Sequence, residues 1–219
     1  MDHEAEIVKI INKLSGSRSP YDVLYDWVKC TALSISNTSD FFHGKIWKQR
    51  EEEYLRTIRP YKKDACRFSE MTGLLSLALD DDMSDMLGKI YMAAGCGNKN
   101  TGQFFTPFHL SKMVAELTVP DDISPENPLI INEPSAGGGG MIIAVAKALK
   151  EKGVNFQRSM KVVAQDLDWK GVYMTYIQLS LLGIKATVVQ GDTLCEPFDS
   201  KNYPKERILY TPAQRGMLL

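Results

Sequence analysis

Apolar residues recur at helical spacing through the first hundred positions and at strand spacing after them. In Glu4–Ser15, residues Ile7, Ile10, Ile11 and Leu14 fall on one face of a helix. In Tyr21–Ser36 the stripe is Leu24, Trp27, Val28 and Ile35, with Ser19-Pro20 as the start signal. Ser39–Arg59 reads as a third helix that stops before Pro60, and Phe68–Leu79 as a fourth. Asp80-Asp81-Asp82 would open a fifth over Ser84–Ala94, because acids suit a helix N-terminus. Gly95–Gly102, rich in Gly and Asn, reads as a loop.

The rhythm then changes. Pro107–Val119 predicts a helix with Thr106 as N-cap and Pro107 at the first helical position. Short apolar runs at Leu129–Asn132, Lys161–Gln165, Ala186–Val189 and Glu206–Tyr210 predict strands, and Gly140–Glu151 and Trp169–Leu182 predict helices between them. This alternation implies a parallel α/β sheet. The expected division is residues 1–98 as a helical N-terminal region and residues 99–219 as an α/β core.

Composition narrows the classes. The 219 residues carry 26 Lys and Arg against 27 Asp and Glu, so binding nucleic acid by bulk charge is excluded, although a local basic face is not. The longest apolar run, Met141–Ala146, is far short of the roughly 18 residues of a membrane span. The acidic start lacks the pattern of a signal peptide, and a cytoplasmic, non-membrane address is expected. Cys30, Cys66, Cys96 and Cys195 contain no CxxC pair, and His3, His43 and His109 do not cluster with them. Four buried, reduced thiols and no metal site are expected.

The most informative stretch runs from Leu129 to Met141: a strand, an acid, four glycines and a helix. Glycines at a strand-to-helix turn let a ligand approach the backbone, and in a doubly wound sheet that turn is where a nucleotide-like cofactor sits. Ile142 breaks the dinucleotide G-x-G-x-x-G pattern, and no Gly-Lys-Ser/Thr follows for a phosphate loop. Glu133 before the glycines would repel phosphate but suits a cationic amine. The second strand ends in Gln165-Asp166-Leu167-Asp168, where an acid can accept both hydroxyls of a ribose. The third ends in Gly191-Asp192-Thr193-Leu194, where an acid can accept from an adenine amino group. An amino acid joined to adenosine fits this set, and S-adenosyl-L-methionine is that ligand.

These segments resemble a known family. Gly102-Gln103-Phe104-Phe105-Thr106-Pro107 resembles the GQ[FY][FY]TP signature of adenine-N6 DNA methyltransferases, above all the modification subunit of type I restriction-modification systems. Met86–Tyr91, Glu133–Gly139, Gln165-Asp166, Ser180–Ile184 and Gly191–Leu194 are similar to further motifs of that family, in the same order. The resemblance implies an S-adenosylmethionine-dependent, Rossmann-like parallel sheet, truncated after its fourth strand, behind an all-helical N-terminal region. It implies site-specific, adenine-specific DNA methylation. Thr106 and Pro107 would border the methionine moiety, Glu133 would meet its amino group with Pro134 beside it as a further cofactor-binding candidate, and Gly137 and Gly139 would give backbone contact. Asp166 would hold the ribose and Asp192 the adenine. The implied strand order is third, second, first, fourth, which leaves the outer edge of Glu206–Tyr210 open for a second copy or another subunit.

One segment departs from the family. Where [DNS]-P-P-[FYW] is usual after the fourth strand, this chain has Thr211-Pro212-Ala213-Gln214 and ends five residues later. Thr211 and Pro212 are the catalytic candidates, and the polar amide and the stacking aromatic are missing. The alternative reading is therefore a catalytically impaired, cofactor- and DNA-binding homologue that acts as a subunit. Specificity or other restriction-modification subunits are the expected protein partners. A nicotinamide dehydrogenase is disfavoured by Glu133 and Ile142, and the GQFFTP segment argues for DNA over RNA or protein as substrate. For DNA contact, Lys45, Lys48, Arg50, Arg56, Arg59, Lys62, Lys63 and Arg67 outnumber four acids over residues 45–67, with Trp47, Tyr54, Tyr61 and Phe68 at intervals of seven. The aromatics read either as one buried helix face or as part of a nucleic-acid surface, and the basic residues either as a solvated face or as phosphate contacts.

Overall fold

The computed structural model describes residues 2–16, 18–96 and 105–217. The chain divides into two compact units, Met1–Phe104 and Phe105–Leu219. Residues Gly102, Gln103 and Phe104 of the GQFFTP segment, and most of the glycine- and asparagine-rich loop before it, lie outside the described residues.

The first unit is helical: α1 (His3–Ser15), α2 (Pro20–Thr38), α3 (Lys45–Ile58), α4 (Cys66–Asp81) and α5 (Met86–Ala93). Their apolar stripes meet in a core that includes Ile7, Ile11, Leu24, Trp27, Met71, Leu75, Leu87 and Ile90, all fully buried. Burying each such side chain contributes about 1.5–3 kcal/mol. Ser19 and Asp22 form a reciprocal capping box at the start of α2. Helix α3 begins six residues later than periodicity predicts, because Asp40 Oδ1 accepts from the Phe42 amide and His43 takes a positive φ of 47°. Asp80 and Asp81 fall in the last turn of α4 instead of opening α5. The α5 cap is Asp85, whose Oδ1 accepts from the Gly88 amide at 2.9 Å. Tyr61 and Phe68 are buried with ring centroids 4.7 Å apart, whereas Trp47 and Tyr54 are half-buried. The cysteine expectation is corrected as well: Cys30 and Cys96 are buried, but Cys66 and Cys195 are exposed. Burial pushes the Cys30 thiol up to about 12.

The second unit contains α6 (Phe108–Thr118), β1 (Leu129–Glu133), α7 (Gly140–Glu151), α8 (Phe156–Ser159), β2 (Met160–Asp166), α9 (Trp169–Leu181), β3 (Lys185–Gln190) and β4 (Ile208–Tyr210). Helix α6 starts one residue later than expected, with Pro107 as its N-cap in place of Thr106. Strands β1, β2 and β3 pair in parallel, with Glu133 opposite Ala164 and Asp166 opposite Gln190. Helix α9 is buried along almost its whole length, from Lys170 to Ser180. No helix among the described residues is long and apolar enough to cross a membrane.

The strand order differs from the expected one. It is β1-β2-β3-β4, and β4 runs antiparallel against β3, with Val188 opposite Leu209. A parallel return requires a crossover, usually a helix across the sheet. Residues 191–207 supply only turns and the 3-10 turn Lys205–Arg207, so the chain folds straight back along β3. Ile208 and Leu209 are buried there, and among the described residues the sheet has two edge strands, β4, whose outer side is unpaired as expected, and β1, where Ile130 is 68% exposed. Thr211 locks the return: its Oγ1 donates to Ile184 O at 2.7 Å and accepts from the Ala186 amide at 3.0 Å. Replacing Thr211 with Val leaves a buried amide unpaired, so Thr211→Val is expected to lower the unfolding free energy by about 1–3 kcal/mol. Urea denaturation checks this, and unchanged stability would contradict the β3–β4 pairing.

Candidate functional site

In a parallel sheet all strands deliver their carboxyl ends to one side, and side chains at paired positions share a face. Glu133 pairs with Ala164, and Asp166 lies two residues beyond it. Glu133 and Asp166 therefore stand on the same face at the same end of the sheet. Between them the chain leaves β1 through Pro134–Gly139. Gly137 and Gly139 take φ values of 55° and 90°, a left-handed conformation that side-chain-bearing residues rarely adopt. This is the physical reason for glycine at these two places.

Asp166 is the hub of the arrangement. Its Oδ2 accepts from the Gly137 amide at 2.7 Å and its Oδ1 from the Asp168 amide at 2.9 Å. Its own carbonyl accepts from the Gly191 amide at 2.9 Å, which ties the end of β3 to the end of β2. The Ala136 amide donates to Gln165 O at 3.0 Å and holds the glycine loop to the same strand end. Thr193 Oγ1 donates to Pro134 O at 2.7 Å, so the loop carrying Asp192 is fastened to the loop carrying Glu133. Asp192 Oδ1 accepts from the Leu194 amide at 2.9 Å, and Asp168 Oδ1 caps α9 through the Lys170 amide at 2.9 Å.

Burial raises the Asp166 titration above its ordinary value, and the amide hydrogen bonds from Asp168 and Gly137 pull only partly against it. Each carboxylate oxygen can accept twice. After the Gly137 and Asp168 amides, each oxygen of Asp166 keeps one acceptor position, which matches two neighbouring hydroxyls. Glu133 Oε1 accepts from the Ser135 amide at 3.2 Å and offers a negative charge on the same face. The end of the sheet thus combines a partly buried glycine loop with acids, and a cation beside them, Lys170, is buried and paired with Asp168 at 3.6 Å.

The structure brings Glu133, Pro134, Gly137, Gly139, Asp166 and Asp192 together. Thr106 and Pro107 are exposed at the start of α6. Phe105, just before them, reaches the glycine loop: a Cβ on Gly137 would lie 3.0 Å from its Cδ1. Sequence reasoning did not single out Phe105, although it stands inside the GQFFTP signature. Thr211 and Pro212 are not brought to this end. Because β4 is antiparallel, they follow it to the amino-terminal end of β3, where both are buried and Thr211 is bonded to Ile184 and Ala186. The two catalytic candidates therefore stand at the end of the sheet opposite the acids.

In the first unit, three of the eight basic residues of 45–67 are committed to local contacts. Arg50 is buried with Nη1 on Ser36 Oγ at 2.8 Å, Arg56 pairs with Glu53, and Arg67 with Glu70 at 2.6 Å. Lys45, Lys48, Arg59, Lys62 and Lys63 are exposed and make no ion pair among the described residues.

The sequence matches the N-6 DNA Methylase family over residues 81–212, more than half of the chain. None of the curated proteins matches it. Among solved structures, it is similar to a protein of Listeria monocytogenes assigned as a class I S-adenosylmethionine-dependent methyltransferase. That match has 17% identity and a TM-score of 0.48, covering 88% of this chain and 54% of the other. It is also similar to the methyltransferase subunit of a type I restriction-modification system from Streptococcus thermophilus, at 17% identity and a TM-score of 0.45, covering 91% of this chain and 41% of that one. The chain thus spans about half the length of the solved structures it matches. The glycine loop and the three strand-end acids all fall inside the matched segment, and the chain belongs to the N-6 DNA methylase family.

Proposed function

We propose that this chain is the S-adenosyl-L-methionine-binding part of a DNA adenine-N6 methyltransferase of the type I restriction-modification kind, acting in the cytoplasm with DNA and with further subunits. The observation that carries the reading is the convergence of Glu133, the glycine loop, Asp166 and Asp192 on one end of the sheet. In this reading Asp166 accepts the two ribose hydroxyls, Glu133 faces the amino group of the methionine part, and Asp192 faces the adenine. Gly137 and Gly139 let the ligand lie against bare backbone. Thr106 and Pro107 border the methionine end, with the Phe105 ring packed on the loop behind them. The cofactor supplies an electrophilic methyl group, and this chain's part is to bind and orient it, so that catalysis rests on positioning. The target adenine must leave the duplex to be reached. The exposed lysines and arginine of residues 45–63 would hold phosphates without reading sequence. The domain reading remains residues 1–98 for the helical region and 99–219 for the cofactor core.

A second reading is favoured by one observation. Thr211 and Pro212 are buried at the end of the sheet opposite the acids, with the Thr211 hydroxyl fully engaged. The chain would then bind cofactor and DNA, and the groups that accept from the adenine amino group would come from elsewhere.

Three outcomes test these readings. Calorimetry is expected to show one cofactor bound per chain, with Asp166→Ala weakening it by about 1.5–3 kcal/mol, the cost of losing hydrogen bonds to a charged acceptor. Unchanged affinity would contradict the ribose role.

The raised titration of Asp166 gives a pH signature. A carboxylate whose folded-state pKa is raised stabilises the fold below its unfolded-state pKa, and this contribution is lost as pH rises through the folded value. Acidification should therefore firm the empty protein while weakening the ligand, because the protonated acid accepts less. Cofactor affinity is expected to fall with pH from above about 3.9, the ordinary aspartate value. That step should be absent in Asp166→Asn, and a profile shared by both proteins would contradict the assignment.

With labelled cofactor and adenine-containing duplex, the purified 219-residue chain is expected to transfer no methyl group above background. The stacking contact it lacks is itself worth about 1–3 kcal/mol per base. Robust N6 methylation would overturn the second reading and return Thr211 or its neighbours to the chemistry.

A further inference from the structure

One stripe of α9 stands directly behind the candidate site. Gly171, Thr175 and Gln178 are spaced by four and three residues and share a helix face. Gln178 Nε2 donates to Gly138 O at 2.7 Å, in a buried position. Thr175 Oγ1 donates to Gly137 O at 3.0 Å and would touch a Cβ on Gly139 at 3.3 Å. Gly171 leaves the space that the Asp166 carboxylate fills: a Cβ there would lie 2.8 Å from Asp166 Cγ and 2.9 Å from its Oδ1. Two consecutive carbonyls of the glycine loop are thus held by α9 side chains, while the amide of Gly137 is held by Asp166, which rests against the same helix.

We infer that Gly171, Thr175 and Gln178 are positioning residues that set the glycine loop and Asp166 for the adenosyl ligand. The inference rests on the reading of this site as a cofactor pocket. Pinning Gly137 O and Gly138 O toward α9 fixes the peptide planes of the loop. That preserves the left-handed turns at Gly137 and Gly139 and keeps the loop from collapsing onto the ligand space. Gly171 acts by omission. Any side chain there would push the Asp166 carboxylate away from the Gly137 amide, and one contact would undo both the ribose acceptor and the loop anchor.

Gly171 gives a test that separates positioning from folding. Gly171→Ala gains helix propensity but displaces the Asp166 carboxylate from the Gly137 amide, so its melting temperature should fall no further than that of Asp166→Ala. The Kd of Gly171→Ala for S-adenosylhomocysteine should nevertheless rise at least tenfold. In an Asp166→Ala background, Gly171→Ala should add nothing, because its effect passes through that carboxylate. A Gly171→Ala protein that binds like the unsubstituted chain, or an undiminished additional loss in the Asp166→Ala background, would overturn the inference. The second pair is Thr175→Val against Thr175→Ser, read by amide hydrogen exchange at residues 137–139 in the absence of ligand. Faster exchange in the valine variant, restored by serine, is expected. Exchange equal in all three proteins would overturn the role of α9. If the unsubstituted chain binds no S-adenosylhomocysteine, the cofactor reading fails, and the exchange measurement still decides whether α9 holds the loop.

Discussion

The candidate site depends on one half-buried carboxylate. Asp166 sits at the end of β2 with its two oxygens on the amides of Gly137 and Asp168. A carboxylate partly removed from water gains from such donors, because charge that loses hydration without a partner is costly. The donors come from the glycine loop and from the entry to α9, so satisfying one side chain fixes two loops. The backbone carbonyl of the same residue receives the Gly191 amide and brings in the third strand end. Each remaining contact at this end, from Thr193 to Pro134 and from Gln178 to Gly138, fastens a piece that Asp166 has already placed.

The opposite end of the sheet is built on a different economy. Strand β4 is short and returns along β3, and its last polar group, Thr211, is spent on Ile184 and Ala186. A hydroxyl that closes a sheet at one end is not available at the other. The strand-end acids and the Thr211-Pro212 segment therefore stand at opposite ends of the sheet, so in the proposed reading cofactor binding and acceptance of the target base would separate within this chain.

Much of this was legible in the sequence, for stated physical reasons. The helices of the first unit followed from apolar spacing, and the three parallel strands from short apolar runs that end in acids. The acids were recognisable because Glu133 and Asp166 each end a strand, Asp192 follows the end of β3 by two residues, and parallel strands end together. The sense of β4 was not legible. Its direction depends on whether residues 191–207 can cross the sheet, and nothing local to Ile208–Tyr210 encodes that. The start of α3 was missed because Asp40 and His43 redirect the chain in a stretch that still looks helical. Phe105 was missed because its contact is with Gly137, 32 residues away. The stripe Gly171, Thr175, Gln178 was missed because Thr175 and Gln178 bond backbone atoms and Gly171 acts through the space it leaves for Asp166, none of which leaves a mark in a sequence pattern.

The central claim is that the acids at one end of the sheet hold an adenosyl ligand against a preset glycine loop. A crystal structure of the chain with S-adenosylhomocysteine tests it most directly. The account predicts both ribose hydroxyls within hydrogen-bond distance of the Asp166 carboxylate, the amino group toward Glu133, and the Gly137 amide still on Asp166. A ligand bound elsewhere, or one that breaks the bond between Gly137 and Asp166 to enter, would contradict it.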